Sequence, residues 1–575
     1  MSTSVRVESL GTEAPLRLPS PNEDDVGSRR IDWVGVYRVL VVAGILAGAY
    51  IRVWYITHRS INSDPSVVGL MAGAILHGHF SAFYWGQYYG GVEPYVVALF
   101  FALFGHSALS LGLAPMALVA VTSVITWRIA LRLVADRGLA ALAGVLVWIM
   151  PAFGITTIEE YGFRDAALVS GTASLLLGLR ILDGRHGYAD MAGFGLAVGV
   201  GWWASPESAF LTVPACVLVL GAVISSRPQR AIRFWLPRLS GTLGAMAVGA
   251  LPWLWSNTIN GYRSLNAATV SSSTSGSYSS HLHTFLVDAL PVQLGLRRFG
   301  SGGLIPAGAV GDIVTWVVCA TLAGFVVLSL ACPGRSRLIG AAVLAFPLAY
   351  SINPLTSWWL DGRYSVYLLP LVALTVAIGC ERLARLRAPG TNRRALHRNT
   401  DQMSRRRAQA LMAVTTLVAA VLALAGFFGL KGSSSLGLGT DPNLPTQRAI
   451  TILEERGATF GFANYWVAYR LDYLSGERLT YTPVPGDTMR SLPIYKQVTS
   501  RNRVAWLFVP PDRIATAASQ FGTPNLETGY ETEASFLAAL RQARDPYSVI
   551  HTALLDAIVP QRPVTPKQVG IGLGN

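Results

Sequence analysis

Long apolar runs, broken by short polar stretches, fill most of the first 430 residues, and many of them are long enough to cross a bilayer. They place spans at 36–56, 109–134, 139–156, 166–183, 190–204, 207–224, 239–257, 312–331, 338–352, 364–383 and 408–430, about eleven in all at roughly 20 residues each. The fold class this predicts is mainly α, a polytopic helical bundle in a membrane. The apolar piece Pro94–Phe104 is too short to join them: at about 1.5 Å per residue it covers roughly half a bilayer. It is expected to lie along the membrane surface or to enter it part way, as the second of two juxtamembrane helices in the first loop. The first of these runs from about Pro65 to His77, and GHFSAFYWGQYYGGVE, rich in aromatics and Gly, joins them either as an interfacial, ligand-facing turn or as an ordinary aromatic belt.

Beyond residue 430 the pattern changes. Apolar runs shorten to strand length (Thr459–Ala463, Val504–Val509, Ala553–Val559) and alternate with helix-like stretches at Tyr465–Ser475, Asp512–Gln520 and Glu533–Ala543. Three regions follow: a polar, disordered tail at 1–30, a membrane domain at 31–430 and a small α/β domain at 431–575. The last has no phosphate loop, dinucleotide fingerprint or His/Cys cluster, and no chemistry of its own is expected from it.

Composition agrees with a membrane protein: 51% of residues are hydrophobic and the mean hydropathy is +0.42. The net charge of +14 changes the picture only through its placement. Lys is confined to 431, 496 and 567, whereas Arg clusters at 128/132/137, 180/185, 227/230/233/238, 335/337 and 382–407, between apolar runs. Such charge sets topology rather than binding nucleic acid. The spans pair so that every cluster can be cytoplasmic, with the N-terminus inside and the α/β domain outside the plasma membrane. The four Cys lie in or beside apolar runs with no metal-like spacing, so free thiols are expected.

In the first loop, Ser63-Asp64-Pro65 precedes an apolar run, a helix start in which Asp64 can act as a cap. Alternatively Asp64 is an acid placed for chemistry at the membrane surface. The other outer segments are TTIEEYGFRD, the turn Ser205-Pro206-Glu207, the stretch NPLTSWWLDGRY, and a long loop from Asn257 to Gly311 whose VSSSTSGSYSSHLH patch reads as mobile.

The order of Asp at the head of the first loop, an apolar helix, GQYYGGVEPY and a short helix ending LFG resembles the GT-C class of integral-membrane glycosyltransferases, in the branch of protein O-mannosyltransferases and lipid A aminoarabinose transferases. EEYGFRDAALVSGTASLLLGLRI, GLAVGVGWWASPESAFLTVPA, DGRYSVYLLPLVAL and GATFGFANYWVAYRLDYLSGERLTYTPV continue the resemblance across residues 36 to about 510. It implies transfer of a sugar from a polyprenyl-phosphate donor to a hydroxyl on a protein, polysaccharide or glycolipid at the outer face. Asp64 would be the catalytic base. Arg363 and Arg164 would face the lipid phosphate, with Tyr364, Tyr88, Tyr89 and Glu93 completing the substrate site. Two departures stand out: Asp64 is followed by Pro65 where that branch has Glu, and Glu93 precedes Pro94 where the lipid A transferases have a basic residue. No cofactor is expected, and no metal ligand set is recognised; His77 and His79 lack a third partner, which leaves a divalent metal open. The rival classes are a lipid-linked sugar transporter or flippase and a non-catalytic assembly protein of the same fold. Against a transporter, no charge is seen deep within the spans and no inverted repeat is found.

Overall fold

The computed structural model describes residues 33–225, 228–265, 276–297, 303–305, 307–353, 356, 359–385, 409–417, 419–421, 423–424, 427–428, 441–484, 488–521, 526 and 532–566. The tail 1–30, most of the Arg-rich 382–407 segment and the first part of the Ser/Gly patch lie outside these residues.

Among the described residues the longer elements of the membrane part are helices: α1 (Trp33–His58), α2 (Ser63–Leu76), α3 (Glu93–Phe104), α4 (Ala108–Leu133), α5 (Arg137–Ile149), α6 (Ala152–Tyr161), α7 (Arg164–Leu182), α8 (Tyr188–Ala204), α9 (Ala209–Ile224), α10 (Pro228–Gly249), α11 (Leu251–Ile259), α12 (Ala309–Leu330), α13 (Arg335–Tyr350) and, after a 3₁₀ stretch at Trp359–Tyr367, α14 (Leu368–Arg385). The predicted spans from 36–56 to 364–383 fall mostly on helix, and the last, 408–430, lies partly outside the described residues. Among the described residues six helices are long and apolar enough to cross a membrane, and α5 with α6, bent by 59° at their junction, makes a seventh. The expected count of about eleven is not reached on length and hydropathy. α8 and α13 have only 17 and 16 residues, and α10 starts among arginines. Large apolar side chains such as Val39, Leu46 and Tyr50 on α1, and Ile313, Trp316 and Val317 on α12, are exposed. On a spanning helix that is the lipid-facing side. The chain is a multi-pass membrane protein.

Small residues let the helices approach closely. A Cβ at Gly195 would lie 2.0 Å from the Thr242 carbonyl oxygen and one at Gly199 2.1 Å from that of Met246, so α8 and α10 touch backbone to backbone.

Among the described residues, Arg132, Arg180, Arg238 and Arg335 make their ion pairs and hydrogen bonds around residues 183–190. Arg132 and Arg335 both pair with Asp183, Arg180 pairs with Asp190 at 2.6 Å, Arg238 Nε donates to the His186 carbonyl at 2.7 Å, and Glu381 accepts the Ala135 N–H at 2.9 Å. The heads of α2, α3 and α7 and the 3₁₀ turns at 206–208 and 359–367 gather at the other end.

The α/β domain is built on a five-stranded sheet of order β2-β1-β3-β5-β4: β1 (Phe460–Phe462), β2 (Thr480–Thr482), β3 (Ala505–Phe508), β4 (Tyr547–His551) and β5 (Asp556–Pro560). β1 pairs in parallel with β2 and β3, and β5 runs antiparallel to β3 and β4. Its helices are α15 (Leu444–Glu455), α16 (Tyr465–Leu474), α17 (Leu492–Thr499), α18 (Ile514–Phe521) and α19 (Glu533–Gln542). The expected strands and helices therefore all form.

This domain is packed onto the first loop. Tyr465, Tyr469 and Tyr473, spaced i, i+4, i+8 along α16, share one apolar core with Ile61, Val67, Met71 and Leu111. A Cβ at Gly69 would fall 2.3 Å from the Tyr473 ring. The fully buried Arg470 donates to Ser60 Oγ at 2.6 Å, to the Ile61 and Gln520 carbonyls, to Asn443 Oδ1 at 3.1 Å and to Thr446 Oγ1 at 3.2 Å.

Candidate active site

The cap of α2 is Asn62, not Asp64. The Asn62 side chain, on extended backbone, accepts the Asp64 N–H at 3.0 Å, the usual way an N-cap satisfies an orphan donor. That releases the Asp64 carboxylate from capping duty. It stands half-buried at the second helical position, and its Oδ1 accepts the Tyr465 hydroxyl from α16. The Tyr84 hydroxyl donates to the Asp64 carbonyl at 3.1 Å.

Arg490 closes this corner. Its guanidinium lies 5.5 Å from the Tyr84 ring centre and 5.3 Å from that of Tyr465, within cation–π range, and faces the Gln87 carboxamide oxygen. Burial pulls its pKa down, but Tyr465, Tyr84 and Asp64 outweigh that and hold it above its ordinary value. The same neighbourhood, with burial first and Asp64 second, keeps the Tyr84 and Tyr465 hydroxyls protonated well above the ordinary tyrosine range.

The aromatic turn of the first loop carries the site towards α7. Tyr84 N–H donates to the Tyr89 carbonyl at 2.9 Å, and Gly90 N–H to the Ala204 carbonyl at 2.8 Å. Gly90 has φ +78°, and a Cβ there would press on Phe163 at 3.0 Å, so the turn requires glycine. Tyr88 is half-buried, edge-on to Phe83 at 6.2 Å. The Tyr89 ring packs 4.7 Å from Phe163; burial and the neighbouring Tyr364 push its hydroxyl up to about 12, against Arg164 and Arg490.

Arg164 opens α7 after Phe163, which sits in the left-handed region at φ 54°. Backbone strain of this kind is stored where the surroundings over-determine it, and here Glu93 supplies that support: its buried carboxylate accepts the Phe163 N–H. Burial, followed by the nearby Asp165, raises the Glu93 carboxyl well above its ordinary value. Arg164 Nε is 3.4 Å from Glu207 Oε2, and its guanidinium is 5.0 Å from the Tyr364 ring. Arg363 Nη2 is 3.4 Å from the Tyr364 hydroxyl.

Tyr88, Tyr89, Glu93, Arg164, Arg363 and Tyr364 therefore gather with Asp64 at one end of the bundle. Glu93 is placed to brace the Phe163 turn. Tyr465, Arg490, Tyr84 and Glu207 are neighbours of these residues that sequence reasoning missed, and Tyr465 and Arg490 reach them from the α/β domain. Charged side chains are also buried near the ends of these helices. Arg52 in α1 is fully buried over Trp148 at 5.1 Å, and Arg59 pairs with Glu159 at 3.5 Å, joining the ends of α1 and α6. Among the described residues no group of three or more His, Cys, Asp or Glu is placed to hold a metal. A groove of about 870 Å³ between α1, α4 and α5, lined by Trp127, Arg128, Arg137 and Trp148, opens near the arginine-rich face and is separate from this site.

Residues 92–255 match the profile of the dolichyl-phosphate-mannose-protein mannosyltransferase family. A crystal structure of ArnT from Cupriavidus metallidurans bound to undecaprenyl phosphate is similar over 92% of this chain and 98% of that one, with a TM-score of 0.54 at 11% identity. This is the GT-C fold. The apo form of the same ArnT is similar over equal shares, with a TM-score of 0.53 at 13% identity. AglB, an archaeal oligosaccharyltransferase from Archaeoglobus fulgidus, is similar over 84% of this chain and 70% of that one, with a TM-score of 0.46 at 12% identity. No curated protein sequence matches the chain significantly. On the GT-C scaffold the α2–α3 loop and the head of α7 form one end, with the α/β domain seated over them.

Proposed function

We propose that the chain is an enzyme that moves a sugar from a polyprenyl-phosphate donor to an acceptor hydroxyl at the outer face of the plasma membrane, in cell-envelope glycan, glycolipid or glycoprotein synthesis. The observation that carries this reading is the Asp64 carboxylate, freed from capping by Asn62 and set beside Tyr465, Tyr84 and Arg490 at the head of a juxtamembrane helix. The match of residues 92–255 to mannosyltransferases of lipid-phosphate donors and the likeness to an ArnT that holds undecaprenyl phosphate support it.

In this reading Asp64 takes the proton of the acceptor hydroxyl as its oxygen attacks the anomeric carbon. The bond from that carbon to the phosphate oxygen breaks with its electron pair, and polyprenyl phosphate leaves. A single displacement inverts the anomeric centre. The developing phosphate charge falls to Arg363 and Arg164, whose planar, permanently charged groups suit phosphate oxygens. Tyr465 positions Asp64. Arg52, Arg59 and Glu159 are packed among the ends of α1, α5 and α6, where they brace helices, and they do not favour a transport reading.

The test offers the purified protein a panel of polyprenyl-phosphate sugars with membrane extract as acceptor. Transfer of label from one donor, dependent on its lipid phosphate, is expected. Absence of transfer from every donor, with movement of intact donor across proteoliposomes, would replace the reading with a flippase.

A further inference from the structure

Arg490 is held in a way that domain packing does not account for. Its backbone is fixed: the Tyr469 hydroxyl oxygen accepts the N–H groups of Arg490 at 2.7 Å and Ser491 at 3.1 Å. The first-loop chain passes so close that a Cβ at Gly86 would lie 3.0 Å from Arg490 Cδ and 3.1 Å from its Cα. The guanidinium is then aimed by two tyrosine faces towards the corner that holds Asp64. Arg59 and Arg164 each carry a carboxylate at ion-pair distance, and Arg470 spends its donors on five acceptors of the domain interface. Arg490 has no carboxylate within ion-pair distance among the described residues. Tyr465 takes the Asp64 oxygen instead, so Asp64 attracts Arg490 without pairing with it; the Gln87 amide oxygen faces the guanidinium tip, and the buried Nε makes no hydrogen bond. An arginine oriented by aromatics, opposed by a neutral amide and left with a buried unpaired donor has capacity for an incoming anion.

We propose that Arg490 is a phosphate-binding residue for the lipid donor, so that the donor's phosphate bridges the α/β domain and the membrane bundle. The inference rests on the reading of the chain as a polyprenyl-phosphate-dependent transferase and adds to it a cation from outside the bundle. The donor, rather than the acceptor, is taken as the source of the anion because a short run of contacts links Arg490 to Arg164: Arg490 lies over Tyr84, the Tyr84 N–H donates to the Tyr89 carbonyl, the Tyr89 ring packs 4.7 Å from Phe163, and the Arg164 guanidinium lies 4.6 Å from that same Phe163 ring. Arg490 also supplies a positive charge beside the turn that ends at Glu93.

Binding of undecaprenyl phosphate and of uncharged undecaprenol to the full-length protein in detergent, followed by intrinsic tryptophan fluorescence, tests this. The wild type should prefer the phosphate. Arg490→Ala should weaken undecaprenyl phosphate binding by about ten- to a hundredfold, the loss of a charge-assisted hydrogen bond, and leave undecaprenol binding unchanged. Arg490→Lys should recover part of the loss, because a point charge returns without the fork. The undecaprenol arm reports whether a variant is folded. If Arg490→Ala and Arg490→Lys both bind the phosphate as the wild type does, the inference is overturned and the wider reading stands; a raised KM for acceptor alone would move Arg490 to the acceptor. If the wild type itself does not distinguish phosphate from alcohol, both fail.

Discussion

Replacing Arg470 by Met tests whether the α/β domain must stay seated for the site to exist. Met keeps much of the apolar stem and removes the charged fork. Of the five acceptors around the guanidinium, Ser60 and Ile61 belong to the first loop and Asn443, Thr446 and Gln520 to the α/β domain. Only the first two hold the domain to the membrane part. Hydrogen bonds to a charged group contribute about 1.5–3 kcal/mol each, and relief of the buried charge offsets part of the loss. A net weakening of docking by about 2–4 kcal/mol follows, or roughly 30- to 1,000-fold in the seated-to-unseated ratio. Hydrogen exchange on the full chain reads this directly: protection should fall at 60–71 and 465–474 and be kept in β3, β5 and α7, and transfer activity should fall with it although Asp64 is untouched. Unchanged protection at 60–71 with full activity would refute the argument that Arg470 ties the domain to the site.

Two further changes probe the same assembly. Gly69→Ala places a Cβ 2.3 Å from the Tyr473 ring and should lower stability by about 1–3 kcal/mol through overpacking; Tyr473→Ala in the same chain should relieve the clash, and a thermal-unfolding cycle that shows plain additivity would contradict the contact. Glu93→Gln keeps an oxygen for the Phe163 N–H and removes a titrating group. The folded Glu93 carboxyl is raised above its unfolded value by burial, so its contribution to stability is present in full below the unfolded pKa of about 4.3 and is lost as pH rises through the folded value. The wild type should lose stability over that rise and the variant should lose less; parallel melting curves across pH would show that Glu93 does not titrate this way.

Much of the fold could be read from the chain because length and hydropathy act locally. The two short helices of the first loop were legible from their inability to span a bilayer, and α16, α19 and the main strands from period and length. The site was half legible. Asp64, Tyr89, Arg164 and Arg363 sit at the ends of apolar runs, where membrane topology alone gathers them. Tyr465 meets Asp64 across 401 residues of sequence, and no periodicity says which face of a domain lands on which loop. A signal was present in the tyrosine stripe 465, 469 and 473, which makes one face of α16 both apolar and hydroxyl-bearing. The choice between cap and chemistry at Asp64 turns on a local detail: Asp64-Pro65 reads as a helix start, but Asn62, two residues earlier, has the extended backbone that a cap needs. Arg490 had no sequence signal, since its meaning depends on Gly86, Tyr84 and Gln87 arriving from the first loop.

The most direct test of Asp64 as the base is a single-turnover comparison of wild type and Asp64→Asn on the donor that the panel identifies, with donor affinity measured on the same samples. Asn keeps the shape and the acceptor for the Tyr465 hydroxyl but cannot take a proton at neutral pH. The account predicts that the transfer step falls by at least about 10²–10⁴-fold, the usual contribution of a positioned base, while donor affinity stays within a fewfold of wild type. Transfer at the wild-type rate by Asp64→Asn would contradict it.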